Sequence, residues 1–515
     1  MSQTEAPDNI TPIRPVDPVT PITVTRAHEV YRRWLGEDYD LEVLDVMLSV
    51  LASEQLPGDP CWLLIISGSG NAKTETVQAS TGVGAHVVST ITSEAALLSA
   101  TPANERAKNA TGGLLRQIGE RGVLVVKDVT SILSAHRDQR AQVLAALREV
   151  HDGHWIRNVG AEGGLTLTWR GRVVVIGAVT TAWDQAHDVI ATMGDRFVLV
   201  RADSAGAGRA PAGRRAIRNT GSETEMRRDL SDAVAGVLAG VDPDADLTVT
   251  DAEIDRILAA ADLVTRARTG VIYDYRGDVV DAHAPEMPTR FAKELTQVVR
   301  GALALGMPRE HAMHLAIRCA RDSMPPLRLA ILLDIAAHPG ASTTDVRKRI
   351  GKPRSTVDRQ LQALDMLDVL TCDEDGQTRA GHAVWRYSLA TGINADVLDS
   401  RIVPEMSPHT PSPREERVGS ELPGNPSDIS GTIPEPSGPG SETGTAPLPA
   451  PSGEPAGVAV PDMRWCPQCR ETTHGRDWAD CSGRSGRCGQ RVHRYGRHGH
   501  GPLCRDCVAE SQASA

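Results

Sequence analysis

Lys73 and Thr74 follow a glycine-bearing turn, Ser67-Gly68-Ser69-Gly70-Asn71-Ala72, which itself follows the apolar run Cys61–Ile66. A short apolar run closed by such a turn reads as a buried strand, and a helix-compatible segment continues from Lys73. Strand, loop and helix in that order, with a lysine and a hydroxyl at the helix start, carry the chemistry of a phosphate-binding loop. Backbone N–H groups from Ser67 to Ala72 would cradle phosphate, the Lys73 ammonium would reach the β/γ oxygens of ATP, and the Thr74 hydroxyl would ligate Mg²⁺. The chain departs from G-x-x-x-x-G-K-[ST] where Ser67 and Ala72 stand in place of glycine. The plainer alternative for this stretch is an ordinary strand-to-helix turn of an α/β domain.

Three further groups of residues have chemical types and spacings that carry a function. Val123-Leu124-Val125-Val126 is a run of β-formers that ends in Lys127-Asp128. An acid at the end of a buried strand is the Walker B arrangement, in which the carboxylate holds Mg²⁺ or orients the attacking water. With one acid where a pair is usual, Asp128 would serve the metal, the water, or both. Near the end of the chain, Cys466/Cys469 and Cys504/Cys507 form two C-x₂-C pairs, each aiming two thiolates at one tetrahedral Zn²⁺. Cys481, Cys488, His474 and His493 lie between them and could complete a second site. The third group is Arg354-Ser355-Thr356 with Arg359 and Gln360, at the start of a helical pattern that follows the turn Gly351-Lys352-Pro353. On a recognition helix these side chains would face DNA bases or phosphates, with Lys348, Arg349 and Lys352 adding charge within reach of the backbone.

The elements that must position these groups follow from composition and pattern. At 515 residues the chain is too long for one core, and three or so domains are expected. A 40% hydrophobic share with only 3% aromatics builds the core from Val, Leu, Ile and Ala. The net charge of −11 confines any DNA contact to local basic patches. No apolar run has the length of a membrane span and the Met1 end is polar, so a cytoplasmic protein with no membrane contact is expected. In such a compartment the cysteines crowded into the tail point to metal rather than disulfides.

In chain order, residues 1–24 read as a disordered leader. A helical lead-in from Ala27 carries Leu41, Leu44, Met47, Leu48 and Leu51 as an amphipathic face before the loop strand. Beyond Asp128 come a helix over Asp138–Val150, a hairpin of Trp155–Val159 with Leu165–Trp169, and the strand Val173–Ala178 ending in Val179-Thr180-Thr181. A helix closing at Met193-Gly194-Asp195-Arg196 then precedes the strand Phe197–Val200. Residues 203–225 read as a linker or mobile loop. The chain from Met226 to about Met324 reads as helical, broken at Val241-Asp242-Pro243 and over Asp281–Pro288. Pro325–Ala336, Ser342–Ile350 and Arg354–Leu367 read as three helices. Val369–Cys372 and Trp385–Leu389 would pair as strands around Asp373–Gln377. Pro404–Pro461 is rich in Pro, Gly, Ser and Glu and reads as a flexible tether.

That order resembles the AAA+ ATPases, especially those with a hairpin ahead of the sensor 1 strand: the minichromosome-maintenance helicases and related plasmid and phage replication ATPases. The resemblance covers residues 27–205 and extends more weakly to 323. It implies that Lys73 and Thr74 bind nucleotide, that Asp128 is the Walker B acid and that Thr180 or Thr181 is the sensor 1 group. It further implies that Arg196 is a finger acting on a neighbouring subunit's γ-phosphate and that Arg290 stands near the sensor 2 position. The departures at Ser67, Ala72 and Lys127 bear on hydrolysis more than on nucleotide binding. Residues 325–390 resemble the winged helix-turn-helix domains of bacterial regulators.

The fold class expected is therefore an α/β P-loop ATPase core (25–205) with a helical lid (206–324), a winged helix-turn-helix (325–392), a linker (393–462) and a small zinc-binding module (463–515). The expected activity is ATP-driven work on DNA by a homo-oligomer, with the zinc tail gripping nucleic acid or a protein partner. The rival reading is a winged-helix transcriptional regulator that only senses nucleotide.

Overall fold

The computed structural model describes residues 19–400 apart from 102–110, 161–163, 185–195, 204–207, 243, 276 and 378–382. Beyond 400 it describes only the strands Met463–Cys466, Glu471–His474, Trp478–Asp480 and Arg491–His493. The chain divides into two units, Met1–Pro411 and Ser412–Ala515. Most of the expected leader, the segment just before Arg196 and the Pro-rich tether lie outside the described residues.

The first unit opens with helices α1 (Val24–Leu35) and α2 (Leu41–Ser53). Its core is mixed α/β around a five-stranded sheet. The strands are β1 (Leu63–Ile66), β2 (His86–Val88), β3 (Arg121–Val126), β6 (Arg172–Val179) and β7 (Val198–Arg201), while β4 (His154–Val159) and β5 (Leu165–Arg170) form a separate antiparallel hairpin. The order is β2-β3-β6-β1-β7 and every pairing in the sheet is parallel. Parallel strands are covered on both faces, which is why these read as unbroken apolar runs. Leu63, Ile65, Val123, Val125, Val174 and Ile176 enter one core with α1 and α2, whereas Leu64, Ile66, Leu124, Val126 and Val175 enter the other. The second core is closed by α7 (Arg137–His151) and by Trp155, Leu167 and Trp169 of the hairpin.

Between strands lie α3 (Lys73–Gln78), α4 (Glu94–Leu97), α5 (Leu114–Ile118) and α6 (Thr130–Leu133). After β7 come α8 (Arg209–Arg218), α9 (Glu223–Leu238), α10 (Asp251–Ala267), the hairpin β8 (Val271–Tyr273) and β9 (Val279–Ala282), then α11 (Thr289–Ala304) and α12 (Arg309–Asp322). Two expectations fail here. Residues 209–218 are helical rather than a linker, and the stretch expected to be helical apart from breaks at 241–243 and 281–288 contains the β8–β9 hairpin.

A third difference concerns α2. Every residue from Val43 to Ser53 is buried, so the helix lies inside the core and presents no polar face to solvent. Its burial is complete because α11 packs directly upon it: a Cβ at Gly301 would sit 1.9 Å from the carbonyl oxygen of Ser49. The buried Asp45 on α2 is satisfied from both sides, by His28 Nε2 at 2.6 Å and His311 Nε2 at 2.8 Å. At the C-terminal end of α2 the carbonyls of Ser53 and Glu54 accept from the Arg172 guanidinium, both at 2.9 Å.

Residues 326–389 form three helices, α13 (Pro326–Ala337), α14 (Thr343–Ile350) and α15 (Arg354–Met366), with the antiparallel sheet β10 (Ala341–Ser342), β12 (Ala383–Leu389) and β11 (Leu370–Gln377), in that order. A capping box between Ser342 and Asp345 starts α14, and Gly351 at φ 66° ends it. β11 runs on through Asp373–Gln377, where a turn was expected. As an edge strand it keeps its acidic side chains in water, so the acids do not interrupt it. Among the described residues, no helix is long and apolar enough to cross a membrane.

Candidate functional site

Three loops meet where the parallel strands end. β6 lies between β1 and β3, and its last residues hold both neighbours: the Ser67 N–H donates to Val179 O at 3.3 Å and the Val129 N–H to Ala178 O at 2.9 Å. Thr180 follows directly on β6, so it stands between the loop that carries Lys73 and the one that carries Asp128. The sheet thus brings together Ser67, Lys73, Asp128 and Thr180, which the sequence separates widely. Thr181, the next residue, is exposed.

The loop 67–72 is shaped by its backbone. Ser67 is buried, Ser69 and Gly70 are exposed, and Gly70 takes φ 81°. Ala72, which caps α3, takes φ 52° and ψ 2°, a left-handed conformation that glycine adopts without penalty and that costs an L-residue about 1–2 kcal/mol. The consensus glycine is missing at the one point where the loop needs it. Ala72→Gly is therefore expected to stabilise the protein by about 1 kcal/mol, read as a higher denaturant midpoint. A midpoint at or below the parent's would show that Ala72 is not left-handed.

Lys73 Nζ donates to the Gly68 carbonyl at 2.9 Å, which lays the ammonium across the loop. Partial burial lowers the Lys73 pKa from its ordinary value, and the charge of Asp128 opposes that shift. Lys73 and Asp128 are thus electrostatic neighbours. Asn71 Nδ2 donates to Asp203 O at 3.1 Å, tying the loop to the segment after β7, and Thr74 is exposed at the first turn of α3.

Asp128 itself caps α6. Its Oδ1 accepts from the Thr130 N–H at 3.0 Å, and its Oδ2 accepts from the Ser131 hydroxyl. The Thr130 hydroxyl in turn accepts from the Thr180 N–H at 3.3 Å. Asp128, Thr130 and Thr180 are therefore one hydrogen-bonded chain across two loops. Thr130 and Ser131 were missed in the sequence, although Asp-Val-Thr-Ser is a recognisable helix-capping pattern.

Arg196 is at the other pole of the sheet. β7 begins with Val198 opposite Leu63 and ends with Arg201 opposite Ile66, so Arg196 precedes the strand starts while the Lys73 loop follows the strand ends. Its guanidinium pairs with Asp152 at 3.2 Å. Burial, the largest single influence, would raise the Asp152 carboxyl, but the hydrogen bonds and charges of Arg196 and His151 together outweigh it and the net shift is downward. Arg290 is also at this pole, bonded to Glu286 at 2.7 Å and lining a cavity of about 670 Å³ with Asp59, His151 and Asp152. The structure does not bring Arg290 to the Lys73 loop.

On α15, Arg354, Ser355, Thr356 and Arg359 are exposed, as are Lys348, Arg349 and Lys352 before it. Gln360 is not available in the same way. Its Oε1 accepts from Arg328 Nε at 2.9 Å, and the buried Arg328 also donates to the carbonyls of Ala267 and Thr269. Arg359 lies on the turn of the β8–β9 hairpin, where a Cβ on Gly277 would come within 2.7 Å of its Nη2. The hairpin missed in the sequence thus lies against Arg359 on the second turn of α15, while the Arg359 side chain stays exposed.

Of the expected zinc ligands, Cys466 ends the strand Met463–Cys466, and Cys469, Cys481, Cys488, Cys504 and Cys507 lie outside the described residues. Among the described residues, no group of three His, Cys, Asp or Glu is placed to hold a metal ion.

No family model and no curated protein matches this sequence. Among solved structures, it is similar to the C-terminal region of NrS-1 at 11% identity and a TM-score of 0.26, over 44% of this chain and 48% of that one, about half its length. A second structure of that region aligns over 72% of this chain and 77% of that chain, at 11% identity and a TM-score of 0.25. The Aeropyrum pernix ORC1 protein in complex with DNA aligns at 16% identity over 71% of this chain and 94% of that one, with a TM-score of 0.22. At such TM-scores these likenesses carry no argument about this chain.

Proposed function

We propose that this chain is an ATPase of the AAA+ type that works on DNA as a homo-oligomer. The observation that carries the proposal is the meeting of Lys73, Asp128 and Thr180 at one sheet edge, with β6 held between the two loops. In this reading the N–H groups of the loop beyond Ser67 and the Lys73 ammonium hold the phosphates, and Thr74 with Asp128 holds Mg²⁺. Thr180 orients the attacking water through the chain that runs to Asp128. The helices α13–α15 with their small sheet act as a winged helix-turn-helix, meeting DNA through Arg354, Ser355, Thr356 and Arg359. The clustered cysteines from Cys466 to Cys507 hold zinc, and metal analysis of the freshly purified chain tests that part.

Arg196 gives the sharpest test of assembly. A guanidinium at the pole opposite its own loop can serve only a nucleotide held by another copy. Arg196→Ala is expected to bind ATP like the parent and hydrolyse it slowly, and mixing it with Lys73→Ala is expected to restore turnover. Full activity of a dilute, monomeric Arg196→Ala sample would remove the finger. DNA-stimulated hydrolysis tests the whole reading.

One observation favours the rival, a nucleotide-sensing regulator: both oxygens of Asp128 are engaged in capping α6. That reading requires ATP to bind without turnover, with or without DNA.

A further inference from the structure

Helix α8 has the composition of a linker, the sequence Arg-Ala-Pro-Ala-Gly-Arg-Arg-Ala-Ile-Arg, and none of its residues is buried. A helix of this length is marginal in water without tertiary support, and Pro211 and Gly213 weaken it further. Its surface is strongly one-signed. Arg209, Arg214, Arg215 and Arg218 form no ion pair among the described residues, and no acid occurs between Arg209 and Ser222. At 3.6 residues per turn, Arg214, Arg215 and Arg218 fall within an arc of about 100°, and Arg214 to Arg218 spans roughly 6 Å along the axis.

The surroundings extend the patch. α8 runs beside α1, where Asn219 Nδ2 donates to the Trp34 carbonyl at 2.7 Å. There Arg33 stacks over Trp34 at 4.9 Å, and Asp229 is shared between Arg33 at 3.8 Å and Arg228 at 3.7 Å. One carboxylate for two guanidiniums leaves further positive charge at the foot of α8. In a chain with a net charge of −11 this is a local reversal of sign.

We propose that α8 is a sequence-independent docking surface for the DNA phosphate backbone, with Arg214, Arg215 and Arg218 each neutralising a phosphate. The spacing suits it: with both strands counted, 6 Å of duplex axis carries about three to four phosphates. No side chain of α8 is buried among hydrophobic neighbours, so the helix can approach a duplex without unpacking the core. This inference rests on the DNA-binding part of the proposed function.

The test compares the full chain with the triple variant Arg214→Gln/Arg215→Gln/Arg218→Gln in binding a fluorescein-labelled, mixed-sequence DNA duplex. Salt is varied from about 50 to 200 mM. Three lost phosphate contacts are expected to lower the slope of log K against log salt by about 2.7. The fourfold rise in salt should then weaken the parent about 40-fold more than the variant. The triple lysine variant, which keeps the charge, is expected to keep the slope, and all three proteins should show the same circular dichroism. An unchanged affinity and slope in the glutamine variant overturns the proposal. So does an equal loss in the lysine variant, which would make the arginines structural. If Arg354→Ala weakens binding in the same assay while the α8 variant does not, the DNA reading stands without α8. A parent that binds no duplex removes both.

Discussion

Asp128→Asn is expected to leave ATP binding intact and to slow hydrolysis by at least ~10²-fold. The substitution is close to isosteric, and the remaining carbonyl oxygen can still accept from the Thr130 N–H, so α6 keeps its cap. Lys73 and the loop amides, which would carry most of the phosphate contact, are untouched. What is lost is the negative charge facing Lys73 and, on the proposed reading, the Mg²⁺ it would hold. The Asn Nδ2 also cannot accept from the Ser131 hydroxyl as Oδ2 does. Binding is read with a fluorescent ATP analogue and turnover by phosphate release. Hydrolysis at the parent rate would strike Asp128 from the Walker B role and leave it as a capping residue alone.

Gly301→Ala is expected to destabilise the protein by about 3 kcal/mol or more, at the upper end of what overpacking costs. The added Cβ would lie 1.9 Å from Ser49 O, 2.7 Å from Ser49 C and 3.1 Å from Ser49 Cα, all of them backbone atoms. No rotamer relieves such a contact, so α11 must move off α2 and open a core shared with β1 and β6. Gly213→Ala provides the contrast. It sits mid-helix in α8 with no atom within 4 Å of the added carbon, so it should stabilise by up to about 1 kcal/mol. Denaturant midpoints of the two variants moving in the same direction would contradict the packing described for α2 and α11.

The central strands were legible in the sequence because burial on both faces makes them continuous apolar runs. Lys73 was legible from the glycine-bearing turn after one of them, and Asp128 from its place at the end of another. The relation between these residues was less legible. That Thr180 stands between them depends on β6 inserting beside β1, a pairing that no local pattern specifies. Helix α8 was read as a linker because Pro, Gly and Arg are poor evidence for a helix that buries nothing. The β8–β9 hairpin was lost among helices because Val271–Tyr273 and Val279–Ala282 are too short to show a period. Its approach to Arg359, and the bond from Arg328 to Gln360, are tertiary contacts, so the recognition-helix reading treated all five side chains alike. Arg196 was singled out by resemblance, and its pairing with Asp152 follows only from the placing of the end of α7 against the start of β7.

The strand order also has a consequence for how the chain reaches its fold. β1 has no sheet partner nearby in sequence: Leu63 pairs with Ile176 on one side and Val198 on the other, each more than a hundred residues downstream. During synthesis the apolar segment Cys61–Ile66 must therefore wait, unpaired on both edges, until β6 and β7 have emerged. Loop closure over such a span slows sheet formation, and an exposed apolar strand invites association with other chains. α2 precedes β1 and shares its core, so an early α2–β1 contact can hide one face of the strand but neither edge. Refolding from denaturant should accordingly be slow and concentration-sensitive, with its yield set by the interval before β6 arrives to close the centre of the sheet.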